Sequence, residues 1–150
     1  MSLIGRHLIV DMYGCNPRAL DDMDFIKEAM EKAIEDTGLT ILNTTCHNIL
    51  PHGMAAHILL AESHLTIHTY PELGYAAIDV FTFSKNVHPE KSVSVLKAFF
   101  KPEKTKATTI KRGDFGSLKD MKPKTSVSIA PLRRVRNTGA KMLKLLSRAK

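Results

Sequence analysis

The sequence predicts an α+β fold in which a mostly antiparallel β-sheet carries helices on one face, as a two-layer sandwich. Segments rich in β-branched and apolar residues follow one another closely between positions 40 and 83, with only short turns between them. A segment with helical apolar spacing lies on each side of that run. Short turns join antiparallel strands, and the flanking helices can cover one face of the sheet.

The elements follow in the order β-α-β-β-β-β-α-β. Strands are predicted over residues 6–12, 40–50, 54–61, 65–70, 76–83 and 105–112. Asn16-Pro17 is predicted to form a turn, and apolar residues at helical spacing between positions 23 and 34 predict the first helix. Asp21 or Asp22 can cap its start, and Gly38 follows its end. The second helix is predicted to begin at Pro89.

The chain length and cysteine content fit one domain with a core of its own. A chain of 150 residues can bury such a core without disulfides, and its two cysteines do not form a disulfide framework. The sequence has no apolar run of membrane-spanning length and no signal peptide. We therefore expect a cytoplasmic protein without a membrane segment.

The net charge of +7 is concentrated at the C-terminus. Residues 1–100 hold 7 Lys or Arg and 12 Asp or Glu, whereas residues 133–150 hold 7 Lys or Arg and neither Asp nor Glu. We predict a catalytic domain over residues 1–112, followed by a linker and basic tail over residues 113–150. A solvated tail is the simpler interpretation, and contact with nucleic acid or an anionic membrane surface is the alternative.

Polar groups of several chemical kinds are concentrated in residues 61–72. This segment contains a serine directly after a glutamate, two histidines and a second glutamate just after a proline. Apolar runs flank it on both sides. Polar groups between apolar walls are costly to bury, so this segment is the candidate functional site.

The order of residues in this segment resembles that of the short, prokaryotic-type S-adenosylmethionine decarboxylases. The matching stretches are Glu62-Ser63-His64-Leu65-Thr66-Ile67-His68, Tyr70-Pro71-Glu72, Gly74-Tyr75-Ala76-Ala77-Ile78-Asp79, Gly5-Arg6-His7-Leu8 and Gly14-Cys15. The resemblance covers roughly the first 100 residues, which makes it far more specific than one short motif.

The resemblance implies that the chain cleaves itself between Glu62 and Ser63. The serine hydroxyl attacks the preceding carbonyl, the resulting ester eliminates, and water converts residue 63 into a pyruvoyl group with release of ammonia. The products would be fragments 1–62 and 63–150. The pyruvoyl group formed from Ser63 is the expected cofactor, because it accepts the electrons that departing CO2 leaves behind. No metal is expected.

His68 is the expected base for this cleavage, as the resemblance implies. Positions 63 and 68 are an odd number of residues apart, so their side chains would face opposite sides of a regular strand. Either the cleavage site lies in a bend or bulge, or His68 reaches it from a neighbouring strand.

The resemblance further assigns a substrate-binding set. Tyr70 keeps a stacking aromatic, and Glu72 keeps a carboxylate for the ribose hydroxyls. Ile49 stands where a phenylalanine usually stacks on adenine, which forfeits about 1–3 kcal/mol. A processing serine is replaced by Ala55. The resemblance also implies a homodimer of cleaved protomers.

Phe83 is the largest departure from the family pattern. A cysteine that donates the catalytic proton usually stands there, and a phenyl ring has no exchangeable proton. Either another group supplies the proton or turnover is altered. The sequence does not choose among the candidates, which are Thr82, Ser84, Cys15, Tyr70, His68 and water.

Three functions therefore compete. The first is decarboxylation of S-adenosylmethionine, which supplies the aminopropyl donor for spermidine and polyamine synthesis. The second is decarboxylation of arginine or ornithine through the same pyruvoyl group, since those substrates need no adenine stack. The third is a non-catalytic member that binds a ligand or partner. We favour the first, because the cleavage motif is intact.

Overall fold

A computed structural model describes residues 5–113 of the chain. Along these residues the elements are β1 (Gly5–Tyr13), α1 (Pro17–Leu20), α2 (Met23–Glu35), β2 (Ile41–Asn48), β3 (Met54–Leu60), β4 (Ser63–Tyr70), a 3-10 turn (Pro71–Leu73), β5 (Tyr75–Thr82), α3 (Pro89–Phe100) and β6 (Lys104–Arg112). The predicted α+β class and the order of the main elements are confirmed.

The six strands form one antiparallel sheet in the order β2-β3-β4-β5-β1-β6. Short connections join β2 to β5 as a meander, which is what the close spacing of the strand segments predicted. β1 lies between β5 and β6, so the last strand forms the edge of the sheet. The strand that begins with Ser63 thus lies inside the sheet, between β3 and β5.

Helices α2 and α3 cover one face of this sheet. Their apolar side chains, including Ile26, Met30, Leu96 and Phe100, form one core with alternate residues of the strands. The ring of Phe25 on α2 packs 5.7 Å from Phe99 and 6.1 Å from Phe100 on α3. We call the other side of the sheet, which the helices do not cover, the open face.

Three local predictions need correction. The fourth strand begins at Ser63 and not at position 65, because Ser63 pairs with Thr82 and His64 pairs with Phe81. Residues 17–20 form the short helix α1 where a plain turn was predicted, and Asn16 caps it by accepting the N–H of Arg18. β3, which the apolar run over residues 54–61 predicted to be a buried strand, is buried on its helix side only.

The predicted basic tail lies outside the described residues, except for Gly113. The boundary at residue 112 therefore stays a prediction, as does the suggested contact with nucleic acid. Among residues 5–113, none of the helices is long and apolar enough to cross a membrane.

Thr69 joins α1 to the sheet, and we predict that its hydroxyl stabilises the fold. Its buried Oγ1 donates to the carbonyl of Leu20 at 2.7 Å and accepts the N–H of Met54 at 2.8 Å. Thr69→Val leaves both partners unpaired, so we expect a loss of about 1–3 kcal/mol in unfolding free energy. Urea unfolding measures it. Thr66→Val, on the open face of the same strand, is the matched control, and equal losses in both variants would contradict this role.

Candidate active site

Ser63 lies directly after a tight connection between two paired strands. Only Ala61 and Glu62 separate β3 from β4, and Ser63 is the first residue of β4. Its backbone is fixed by pairing with Thr82 on β5. The residue is 7% exposed, so a potential nucleophile is held at the end of a strand and away from solvent.

Two hydrogen-bonding features distinguish the peptide between Glu62 and Ser63. The carbonyl oxygen of Glu62 accepts the backbone N–H of Phe83 at 3.2 Å. The Oγ of Ser63 is buried and has no hydrogen-bond partner within residues 5–113. A bound N–H polarises a carbonyl and stabilises negative charge on its oxygen. An unpaired buried hydroxyl in a native fold calls for an explanation, such as a chemical task.

A cavity of about 410 Å³ lies at this peptide. The described residues that line it are Leu59, Leu60, Glu62, Ser63, His64, Phe81 and Phe83. The ring of Phe83 meets that of Phe81 edge to face at 4.9 Å and covers Gly5, where an added Cβ would come within 3.0 Å of the ring. We call this region, made of Glu62, Ser63, Phe83 and the cavity, the cleavage end.

The predicted base lies at the other end of β4. His68 sits on the open face and pairs with Ala55 on β3 and Ala77 on β5. Two residues further on, the ring of Tyr70 stacks on that of Tyr75 at 5.6 Å. Position 55, where the resemblance expects a processing serine, is thus directly beside His68.

The other predicted substrate-binding residues share this end. Glu72 belongs to the 3-10 turn after β4 and lines a cavity of about 290 Å³ together with Pro17, Arg18, Asp21, His52 and Pro71. Ile49 is the first residue of the hairpin loop between β2 and β3, and its N–H donates to the carbonyl of Gly53 at 2.8 Å. Gly53 in turn lies against the carbonyl of Thr69, where a Cβ would come within 2.5 Å. We call the region of Ile49, His68, Tyr70 and Glu72 the histidine end.

Asp21 fixes the hairpin that carries Ile49. Its carboxylate accepts the N–H of Gly53 at 2.8 Å and contacts Nδ1 of His52 at 3.1 Å. The bond from the Gly53 N–H lowers the pKa of Asp21, with the nearby His52 adding to the effect. The hairpin is therefore anchored to the turn before α2 by hydrogen bonds that favour the ionised carboxylate.

Within one chain, the two ends do not meet. Ser63 faces the helices whereas His68 lies on the open face, and five residues of strand separate their backbones by about 16 Å. The pairing of β4 with β5 runs without a shift from Ser63 to Tyr70, so no bulge turns either side chain around. The bend that the sequence offered as one of two solutions lies before β4, at residues 61 and 62, and it does not bring His68 to Ser63.

Histidine and carboxylate side chains also cluster on the open face near the cleavage end. Nε2 of His7 is 2.9 Å from Oδ1 of Asp79, and the rings of His57 and His64 lie 6.0 Å apart. Burial lowers the pKa of His64, and the nearby His57 and His7 lower it further. At the histidine end, the hydroxyl of Tyr75 donates to Asp11 at 2.5 Å, which raises the pKa of this tyrosine.

Two features of the cleavage end were not predicted from the sequence. The bond from Phe83 to Glu62 uses a backbone N–H, which every residue except proline has, so no sequence signal marks it. The sequence also did not predict that His64 lines the cavity, although the alternation of side chains from Ser63 would have placed His64 on the open face. Within residues 5–113 there is no group of three His, Cys, Asp or Glu side chains that could hold a metal ion.

Comparison with known proteins gives a consistent answer. The sequence model of the S-adenosylmethionine decarboxylase family matches residues 6–113. The chain belongs to the S-adenosylmethionine decarboxylase family. A relative from Methanococcus maripaludis, named S-adenosylmethionine decarboxylase proenzyme, is 42% identical over 122 residues, which are 80% of this chain and 100% of that one. A proenzyme of the same name from Caldanaerobacter subterraneus is 43% identical over 115 residues, 77% of this chain and 93% of its own.

The fold of a solved family member agrees with this membership. The crystal structure of the adenosylmethionine decarboxylase from Aquifex aeolicus superposes with a TM-score of 0.70 at 28% identity, covering 75% of this chain and 93% of that one. The resemblance inferred from residues 62–79 is therefore confirmed. The matched segment ends at residue 113, at the end of the described residues.

Proposed function

We propose that this chain is a self-processing decarboxylase that acts on S-adenosylmethionine through a pyruvoyl group formed from Ser63. One observation carries the proposal: an unpaired, buried Ser63 hydroxyl adjoins a Glu62 carbonyl that already accepts the N–H of Phe83. The family membership supports the substrate, and the relatives' name, proenzyme, fits a chain that is cut after synthesis.

The cleavage chemistry follows from these residues. Oγ of Ser63 forms a bond to the Glu62 carbonyl carbon as the peptide C–N bond breaks, and the Phe83 N–H stabilises the charge that develops on the oxygen. Elimination of the ester leaves a carboxylate on Glu62. Water then replaces nitrogen at position 63, so ammonia leaves and fragment 63–150 begins with an uncharged ketone.

The surroundings of position 63 fit such a ketone. Leu59, Leu60, Phe81 and Phe83 present apolar walls, which suit an uncharged group and exclude water. Because the Ser63 hydroxyl has no hydrogen-bond partner within residues 5–113, its loss leaves no buried polar group there unpaired. When formed, the pyruvoyl group supplies a carbonyl that takes up the substrate's amine and accepts the electrons left by CO2.

A second copy of the chain completes the proposed site. The cleavage end and the histidine end lie at opposite ends of β4, so a two-fold axis between them would bring each end of one chain to the other end of its partner. The open face offers the surface for this contact. Large apolar side chains are exposed on it, namely Ile9, Tyr13, Leu59, Tyr70 and Ile110. A homodimer would bury them and bring His68 of one copy to the cavity beside Ser63 of the other, which is lined on the open face by Leu59, His64 and Phe81.

The histidine end would then hold the substrate. Glu72 offers a carboxylate for the ribose hydroxyls, and the exposed ring of Tyr70 offers a stacking surface next to Tyr75. Ile49 replaces an aromatic side chain there, so we expect weaker adenine binding than a stacked ring would give. The product would be an aminopropyl donor for spermidine and other polyamines.

Release of CO2 from carboxyl-labelled substrates tests this function. We expect CO2 from S-adenosylmethionine and none above background from arginine or ornithine, because the chain's family and its Glu72 both favour a nucleoside substrate. Ser63→Ala is the control for background release. Faster release of CO2 from arginine or ornithine would mean that the chain is an arginine or ornithine decarboxylase. No release from any of the three, with an uncut chain, would indicate a non-catalytic member.

A further inference from the structure

We infer that His64 is a catalytic residue of this enzyme and donates the proton that replaces CO2 on the substrate's α-carbon. The inference rests on the proposed function, since it assigns a role within that reaction. Every α-decarboxylation that yields an amine needs such an acid, placed next to the carbon that loses its carboxylate. An acid therefore has to lie within reach of the substrate bound at residue 63.

The lining of the cavity leaves one candidate. Of its described side chains, only Glu62, Ser63 and His64 carry polar atoms, because the others are leucine or phenylalanine. Ser63 is consumed in forming the pyruvoyl group. Glu62 ends fragment 1–62, and an ionised carboxylate accepts hydrogen bonds but has no proton to give. The imidazolium of His64 has two N–H groups and can give up a proton.

The other proton-bearing residues that the sequence offered are not among the described residues that line the cavity. Cys15 donates its N–H to the carbonyl of Gly74, just beyond the histidine end, where His68 and Tyr70 also lie. Thr82 is buried on the helix side of the sheet, and its hydroxyl accepts the N–H of Ser84. His68 and Tyr70 of a second copy could reach the cavity through the proposed dimer, so the experiment has to separate them from His64.

The position of His64 suits proton transfer from solvent. Its side chain is half-buried on the open face, and its ring lies 5.3 Å from Phe81, which packs on Phe83. The charged and titratable groups that face it come from four strands: His57 on β3, His7 on β1, Asp79 on β5 and Arg112 on β6. Burial, His57 and His7 lower its pKa, so its protonated form is a stronger acid than an ordinary histidine.

Departure of CO2 leaves its bonding electron pair with the substrate. That pair forms a C–H bond at the α-carbon while an N–H bond of His64 breaks, and the neutral imidazole regains a proton from water. If the proton is added instead to the former ketone carbon of residue 63, the substrate's nitrogen stays there. Water then supplies the oxygen of an aldehyde product, and residue 63 ends as alanine.

The mass of fragment 63–150 during turnover tests the inference. With the purified, cleaved parent at the most acidic pH at which it turns over, which favours the protonated form of His64 despite its lowered pKa, we expect the pyruvoyl mass to persist through many turnovers. In His64→Gln we expect CO2 release to fall by about 10²-fold or more, with conversion to the alanine mass. His57→Gln is the matched control, a neighbouring open-face histidine that is not among the described residues lining the cavity. The His57→Gln variant retains His64 as the acid, so its fragment 63–150 should keep the pyruvoyl mass.

A pH series on the cleaved parent needs no variant. The fraction of turnovers that end in alanine should rise as the pH rises above the pKa of His64, which lies below the ordinary 6.5. The inference is overturned if His64→Gln keeps the parent rate and the pyruvoyl mass, which would favour His68 or Tyr70 of the second copy, or if that fraction is the same at every pH. A parent that never cleaves itself would overturn the proposed function and this inference together.

Discussion

Ser63→Ala is expected to remain a single uncut chain of 150 residues, while the parent separates into fragments 1–62 and 63–150. Without the hydroxyl, no group at position 63 can attack the Glu62 carbonyl, although Phe83 still donates its N–H to that oxygen. Cleavage should therefore be abolished and not merely slowed. Denaturing gel electrophoresis after long incubation measures it, with the mass of each band as confirmation.

Ser92→Ala is the matched control for this prediction. Ser92 is also a buried serine, but it lies on α3 and does not belong to the cleavage end. This variant should cleave like the parent. Cleavage of Ser63→Ala at position 62 would mean that the chain is cut by another protein or by another residue, and the serine-initiated chemistry would be wrong.

Chains with Ser63→Ala should restore the cleavage of chains with His68→Ala when the two are produced together. Each variant alone should cleave slowly or not at all. In a mixed dimer, one site combines an intact Ser63 from the His68→Ala chain with an intact His68 from the Ser63→Ala chain. Cleavage of the His68→Ala chain should then rise by about 10²-fold or more, the usual contribution of a general base.

Only the His68→Ala chain can be cut in this mixture, and the masses of the fragments identify it. His47→Ala, which changes a histidine on the edge strand β2, is the control for a mere change of the open face. Equal cleavage of His68→Ala chains alone and in the mixture would contradict a site shared between copies. His68 would then act within its own chain, or not at all.

The sequence was sufficient for the fold class and the order of the main elements, because these depend on local patterns, but it did not predict the order of the strands in the sheet. Alternating and β-branched segments with short turns predicted the meander, and Asp22 caps α2 by accepting the N–H of Phe25. The predicted start of β4 was wrong because Ser63 and His64 are polar. Their strand conformation comes from pairing with Thr82 and Phe81 on β5, a long-range effect that local propensity does not contain.

The candidate site was only partly predictable for a related reason. The motif identified Glu62, Ser63 and His68, and the odd spacing between 63 and 68 already signalled a geometric conflict. The sequence offered a bend as one solution, but the unbroken register of β4 excludes it within that strand. The hydrogen bond from Phe83 to Glu62 joins backbone groups 21 residues apart, so it depends on how β4 and β5 pair and not on side-chain type.

The mass of the purified parent chain tests the central claim most directly. Self-cleavage at Ser63 predicts two species, fragment 1–62 and fragment 63–150, with the larger one carrying a ketone in place of its amino group and therefore resistant to N-terminal sequencing. A single intact species of 150 residues after long incubation, or a fragment 63–150 that begins with an ordinary serine amine, would contradict the pyruvoyl mechanism.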